Sequence, residues 1–176
     1  MNAPFTVDLR SFLGIALLLA AGTSQAQAPL DGSLLGVTEQ VLQATFSDLH
    51  KLNKPVLGPH GLRGLWSLAN TRVAGLAFET TFYLKNKSVQ RIEQRWTSTS
   101  TPCSPAPSFA ALVSDLSLKY GTGLTSIDPL GAEATQRSDV WVAGDVDVLA
   151  HLTQAPGQCA ILVIYKPHVV MDASTL

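Results

Sequence analysis

The run LAFETTFYLK, Leu76 to Lys85, alternates without a break. Leu76, Phe78, Thr80, Phe82 and Leu84 fall on one side, and Ala77, Glu79, Thr81, Tyr83 and Lys85 on the other. A period of two sustained this long cannot serve a helix; it asks for an antiparallel strand with one apolar and one wetter face. Lys85-Asn86-Lys87-Ser88 then turns the chain into SVQRIEQRWTS, where Arg91, Glu93 and Arg95 share one face while Ile92 and Trp96 share the opposite one. A shorter strand, LRGLWSLA, precedes this hairpin, with Trp66 and Leu68 on one face and a turn expected at Asn70-Thr71-Arg72.

Two segments carry helical spacing instead. In residues 37–52, Val37, Val41, Leu42, Phe46, Leu49 and Leu52 form an apolar stripe, and the helix is expected to stop at Asn53-Lys54-Pro55, because a residue before proline is pushed out of the helical region. In FAALVSDLSLKY, Phe109, Leu112, Val113, Leu116 and Tyr120 step by three and four. Ser108 offers an N-cap there, and Gly121 sits where a left-handed terminator belongs. Residues 122–137, centred on Asp128-Pro129-Leu130-Gly131, read as loop. Three further strands are expected at 138–143, 146–153 and 159–166, with turns at Gly144-Asp145 and Pro156-Gly157. The last of them is apolar on both faces up to Tyr165, which suits a central position. The expected fold class is therefore α+β, an antiparallel sheet with two helices packed on one face, in the order α-βββ-α-βββ.

The N-terminus bears on the compartment. Arg10 is followed by an apolar run, Phe12 to Ala21, and then by small and polar residues. That combination predicts a secretory signal peptide over residues 1–26, the run being too short to cross a bilayer. Cleavage after Ala26 has Ser24 two residues before it, whereas cleavage after Ala28 would leave Pro29 first. Residues 27–36 then read as a flexible leader and 37–176 as a single domain. Export gives the two cysteines a meaning. Cys103 and Cys159 are an even pair in an oxidising compartment, so a single disulfide is expected. Two cysteines cannot make a four-thiolate zinc site, and His151 and His168 lack the spacing for a mixed one.

Composition narrows the function classes. The net charge of −1 gives no basic field for nucleic acid, and 46% apolar with only 14% charged residues favours a buried core over disorder. The chain has no Gly-x-Ser-x-Gly elbow, no Ser-x-x-Lys pair and no His-Glu-x-x-His. GPHGLRG, Gly58 to Gly64, is neither a phosphate loop nor a dinucleotide fingerprint, and its three glycines read as turn chemistry. The pattern F-x-x-L-x-x-x-L-x-x-K-Y-G, followed by a strand with Trp and a strand ending in Tyr, is similar to that of many small exported proteins of Gram-negative bacteria, and implies no particular activity.

Two constellations stand out. Glu79, Tyr83, Arg91, Glu93 and Arg95 lie on the outward faces of neighbouring strands, either as cross-strand ion pairs or as a docking surface rich in the residues that interfaces favour. Asp145, Asp147 and His151 fall on alternate positions of one strand and form a weaker polar cluster, open to a metal or to acid–base work, with Leu149 interrupting it. The expectation is an exported, soluble, non-enzymatic binding protein of the periplasm that contacts a protein partner in an inhibitor- or immunity-like role. It needs no cofactor or nucleic acid, and it does not insert into a membrane after signal cleavage. The alternatives are a carrier of small apolar ligands and, less favoured, a metal-dependent enzyme.

Overall fold

The computed structural model describes residues 29–99, 103–129 and 134–169; the expected signal peptide and residues 170–176 lie outside them. The chain runs α1 (Glu39–Thr45), β1 (His50–Leu57), β2 (Arg63–Val73), β3 (Leu76–Lys85), β4 (Ser88–Ser98), α2 (Ala106–Tyr120), β5 (Leu124–Pro129), β6 (Thr135–Ala143), β7 (Val146–Ala155) and β8 (Gln158–Pro167). All eight strands join one sheet in the order β1-β2-β3-β4-β8-β7-β6-β5, each neighbour antiparallel. Each half is a helix followed by a four-stranded meander, and the last strands of the two meanders, β4 and β8, pair in the middle.

The sequence expectation of six strands is corrected to eight, and the order becomes α-ββββ-α-ββββ. Both additional strands are edges. Residues 50–57, expected to end a helix, form β1 instead, and α1 stops at Phe46, whose backbone is already extended. Pro55 explains the misreading: it ends helices, yet an edge strand tolerates it where its missing N–H faces away from the ladder, and the β1–β2 register shifts between Lys51 and Val56 around it. β5 occupies residues expected to be loop and pairs along its whole length with β6. α2 begins three residues before Phe109, with Pro105 at its N-cap position rather than Ser108, because first-turn N–H groups need no helical partner and Pro107 costs nothing there. The turn expected at Asn70 is a bulge. Asn70 adopts a left-handed φ of 59°, the β2–β3 register shifts between Leu68 and Thr71, and the strand continues to a turn at Ala74-Gly75. The β3–β4 hairpin turns at Asn86-Lys87 as expected, with both φ values positive, the geometry whose twist matches the strands it joins.

Residues directly opposite in an antiparallel ladder share a face, so Trp66, Phe82, Ile92, Tyr165, Val148 and Trp141 form one row across six strands. The helices touch this row. Phe46, at the end of α1, meets Phe82 with ring centroids 6.0 Å apart, and the Trp66 indole donates to Glu39 of α1 at 2.9 Å. In the other half the Trp141 indole donates to Ser117 of α2 at 3.3 Å. Leu42, Phe82, Ile92, Val148 and Ile161 have no exposed surface, and Phe109, Leu112 and Leu116 of α2 join the same core. Near the β5 edge of the sheet the neighbouring row carries a charge inward from β6. Asp139, 2% exposed, accepts from Arg137 Nε at 2.8 Å and from Thr125 at 2.5 Å, while the Arg137 guanidinium rides over the Phe109 ring.

The disulfide joins Cys103, just ahead of α2, to Cys159, at the head of β8 and fully buried. Residues 29–36, read as a leader, lie against the body: Gly32–Leu34 form a 3-10 turn, Leu34 is buried, and Gly36 and Val37 exchange backbone hydrogen bonds with Val89. Asp31 fastens this segment by accepting from the Ser33 N–H and from the Lys119 ammonium of α2. Burial alone would raise its pKa, but the Lys119 and Ser33 donors outweigh it and hold the carboxyl below its ordinary 3.8. A lowered folded pKa gives stability that is complete above the ordinary value and lost as pH falls through the folded one. Asp31→Asn should therefore cost roughly 1 kcal/mol at neutral pH and nearly nothing in strong acid. Urea unfolding of both proteins across that range measures this; a gap that stays constant below pH 3.8 would contradict it.

Candidate docking face

The β3–β4 hairpin positions the first group of side chains. Its register sets Glu79 opposite Arg95, Thr81 opposite Glu93 and Tyr83 opposite Arg91, all on the face away from Phe82 and Ile92. Glu79, Tyr83, Arg91, Glu93 and Arg95 thus share one surface, and Glu93 is its hub. One carboxylate oxygen of Glu93 accepts from Arg91 Nε at 2.7 Å, the other accepts from the Tyr83 hydroxyl at 3.1 Å, and Arg95 Nη2 stands 3.8 Å away. Glu79 stands apart from the hub and accepts a long hydrogen bond, 3.4 Å, from Ser67. Within the hub Arg95 reaches furthest into solvent, with 54% of its side chain exposed against 16% for Arg91 and 12% for Glu93; Glu79, outside the hub, is exposed as well.

Tyr83 is buried because the neighbouring backbone makes room for its ring. A Cβ on Gly58 would lie 2.8 Å from the ring and one on Gly64 would lie 3.2 Å away, so the glycines of GPHGLRG accommodate an aromatic on the next strand. Burial first, then the Glu93 charge and hydrogen bond, push the Tyr83 pKa up to about 12. The phenol therefore stays a donor to Glu93 through the physiological range.

Beside the network lies a mixed surface. Glu93 is opposite Ile164, which is opposite Leu149, which is opposite Val140; the adjacent row runs from Arg95 through Leu162 and His151 to Ser138. A fixed charge cluster thus borders a stripe of aliphatic side chains across β8, β7 and β6. Sequence reasoning missed this stripe, although the two-faced apolarity of β8 and the alternation of Val140 and Leu149 were its signal.

Asp145, Asp147 and His151 do not act as one group. Asp147 bonds Lys166 Nζ at 2.5 Å and His168 Nδ1 at 2.6 Å. Asp145 is in the turn before β7, where its carbonyl accepts from the His168 N–H at 2.7 Å. His151 lies beyond Leu149 and pairs with Ser138, Oγ to Nδ1 at 2.8 Å. Burial and then the Arg91 charge lower the His151 pKa, leaving the imidazole neutral at pH 7. A neutral histidine against a serine is the beginning of a nucleophile, but no carboxylate bonds the other ring nitrogen among the described residues, so a third, orienting member is missing. Nor do three or more His, Cys, Asp or Glu side chains gather as a metal set among the described residues.

The chain matches no protein-family model, no curated protein and no solved structure.

Proposed function

We propose that this chain is an exported, non-enzymatic binding module of the periplasm that docks a protein partner on the sheet face opposite the contacts of α1 and α2, in an inhibitor- or immunity-like role. The observation that carries the reading is the Glu93 hub with its neighbours. Tyr83, Arg91 and Arg95 are held around one carboxylate beside the half-buried Leu149 and Leu162, an arrangement of polar groups bordering an apolar patch. Side chains already pinned lose little freedom when a partner arrives, which raises the affinity available from a given area. The compartment rests on the apolar run behind Arg10, and the Cys103–Cys159 bond suits it.

Arg95 is the side chain to test, because it is exposed and leaves the fold alone. Arg95→Glu should weaken capture of the partner from an envelope extract by at least about tenfold. The same change should shift stability by no more than about 0.5 kcal/mol, and Lys54→Glu, on the β1 edge, should change neither. Equal capture by wild type and Arg95→Glu, or no specific capture by the wild type, would overturn the reading.

A further inference from the structure

The other face of the sheet carries a separate feature. A groove of about 630 Å³ lies at the β2 bulge, lined by Leu68 and Gln94 together with Leu30, Asp48, Arg72 and Val73. The β2 bulge borders it: the left-handed Asn70 and the register shift between Leu68 and Thr71 lie along the groove, and β2 stays paired with β3 through Val73. Leu68, Thr80 and Gln94 stand in one row across β2, β3 and β4, so Gln94 looks out from a central strand where an aliphatic side chain would ordinarily sit.

Gln94 is 1% exposed and only half satisfied. Its amide nitrogen donates to the Leu30 carbonyl at 3.2 Å. That carbonyl can only accept, so the orientation of the amide is fixed and the oxygen is the free end. Among the described residues Gln94 Oε1 is the one buried side-chain polar atom without a hydrogen-bond partner. Thr80, next to it in the row, is already engaged with Thr71 at 3.2 Å. An unmatched buried acceptor in the wall of a groove of this size is what a ligand that donates one hydrogen bond would complete.

We propose that this groove binds a small molecule whose inner end is an uncharged hydrogen-bond donor, a hydroxyl or an amide N–H, on a compact apolar body. The donor meets Gln94 Oε1, and the body lies against Leu30, Leu68 and Val73. The inner end is uncharged because the groove meets it with the neutral Gln94 and Leu68, where an ammonium would lose its hydration without gaining a counter-ion. Asp48 and Arg72 are exposed at the rim, of opposite charge, and set no net preference there. This site is independent of the docking face and stands or falls separately.

The test uses the disulfide-bonded chain, isotope-labelled for NMR, and two probes of similar shape: hexanamide, which donates through its N–H groups, and N,N-dimethylhexanamide, which cannot donate. Hexanamide should shift the backbone signals of residues 68–73 and 94 saturably, and the dimethyl compound should bind about tenfold more weakly, the effect of one lost hydrogen bond. Gln94→Leu should abolish the difference between the two probes. Val73→Trp, which fills the groove from its rim and leaves Gln94 in place, should remove binding of both; it decides the matter should Gln94→Leu fail to fold. Equal affinity of the two amides for the wild type overturns the proposal. So does a crystal structure grown with hexanamide that shows a single water on Gln94 Oε1 and no probe in the groove.

Discussion

Replacing both cysteines with alanine should lower stability by about 4 kcal/mol, and the melting temperature by roughly 8–16 °C for a domain of this size. The bond spans 56 residues, and those residues include α2, β5, β6 and β7. Closing so long a loop removes freedom chiefly from the unfolded chain, and the cost grows only slowly with length. The native contribution is local. Ser98, at the end of β4, is opposite Cys159, so the bond returns the chain to the sheet five residues after it has left and aims α2 back across it. Gln154 of β7 helps by donating to the Cys103 carbonyl at 3.2 Å. Alanine suits the test better than serine, because Cys159 has no exposed surface and a hydroxyl there would be buried. Urea unfolding of wild type and Cys103→Ala/Cys159→Ala gives the difference directly. A loss under about 1 kcal/mol would show that the bond constrains little that packing does not already hold.

Trp141→Ala should be comparably damaging, at about 3–5 kcal/mol. The indole is 1% exposed and fills the space between β6 and α2, with its N–H on Ser117. It also lies against the backbone at Gly123, where a Cβ would come within 2.7 Å of the ring. A rigid ring between helix and glycine leaves nothing nearby that can collapse into the cavity. Trp141→Phe separates the contributions: it keeps most of the contact area and loses the hydrogen bond, and should cost about half as much or less. Trp66 is the counterpart in the first meander, donating to Glu39 of α1, but it is only partly buried and Trp66→Ala should cost less than Trp141→Ala. An equal or larger loss at Trp66 would mean that α1, not α2, is the better-anchored helix.

The strands legible in the sequence are those buried on at least one full face. β3, β4, β7 and β8 announce themselves because water on one side and core on the other impose alternation, and β8 because it is apolar on both faces in the middle of the sheet. β1 and β5 were not legible because edge strands escape that pressure. His50, Lys51, Asn53, Lys54 and Pro55 in β1 are what an edge uses to discourage further pairing, and behind the apolar stripe that runs to Leu52 they look like the end of a helix. α2 was clear from its apolar spacing, whereas its start was hidden by two prolines that only a first turn accepts. For the candidate face, a period of two was enough to group Glu79, Tyr83, Arg91, Glu93 and Arg95. It could not reveal that Glu93 gathers three of the others, or that Gly58 and Gly64 exist to admit Tyr83, since both depend on register between strands. The groove was less legible still. It lies along a left-handed asparagine inside a strand, and in the sequence Asn70 looked like the end of one.

The pairing of β4 with β8 also sets a timetable. A ribosome or a translocation channel delivers the chain from its N-terminus, so β1 to β4 emerge first, and β4 is left with one unpaired edge in what will become the middle of the sheet. Its partner is among the last described segments to arrive, and Cys159 arrives with it. Sheet closure and disulfide formation therefore both wait for β8, and a chain stalled before it would present an open strand edge and a lone thiol together, which marks it as unfinished to any factor that recognises either.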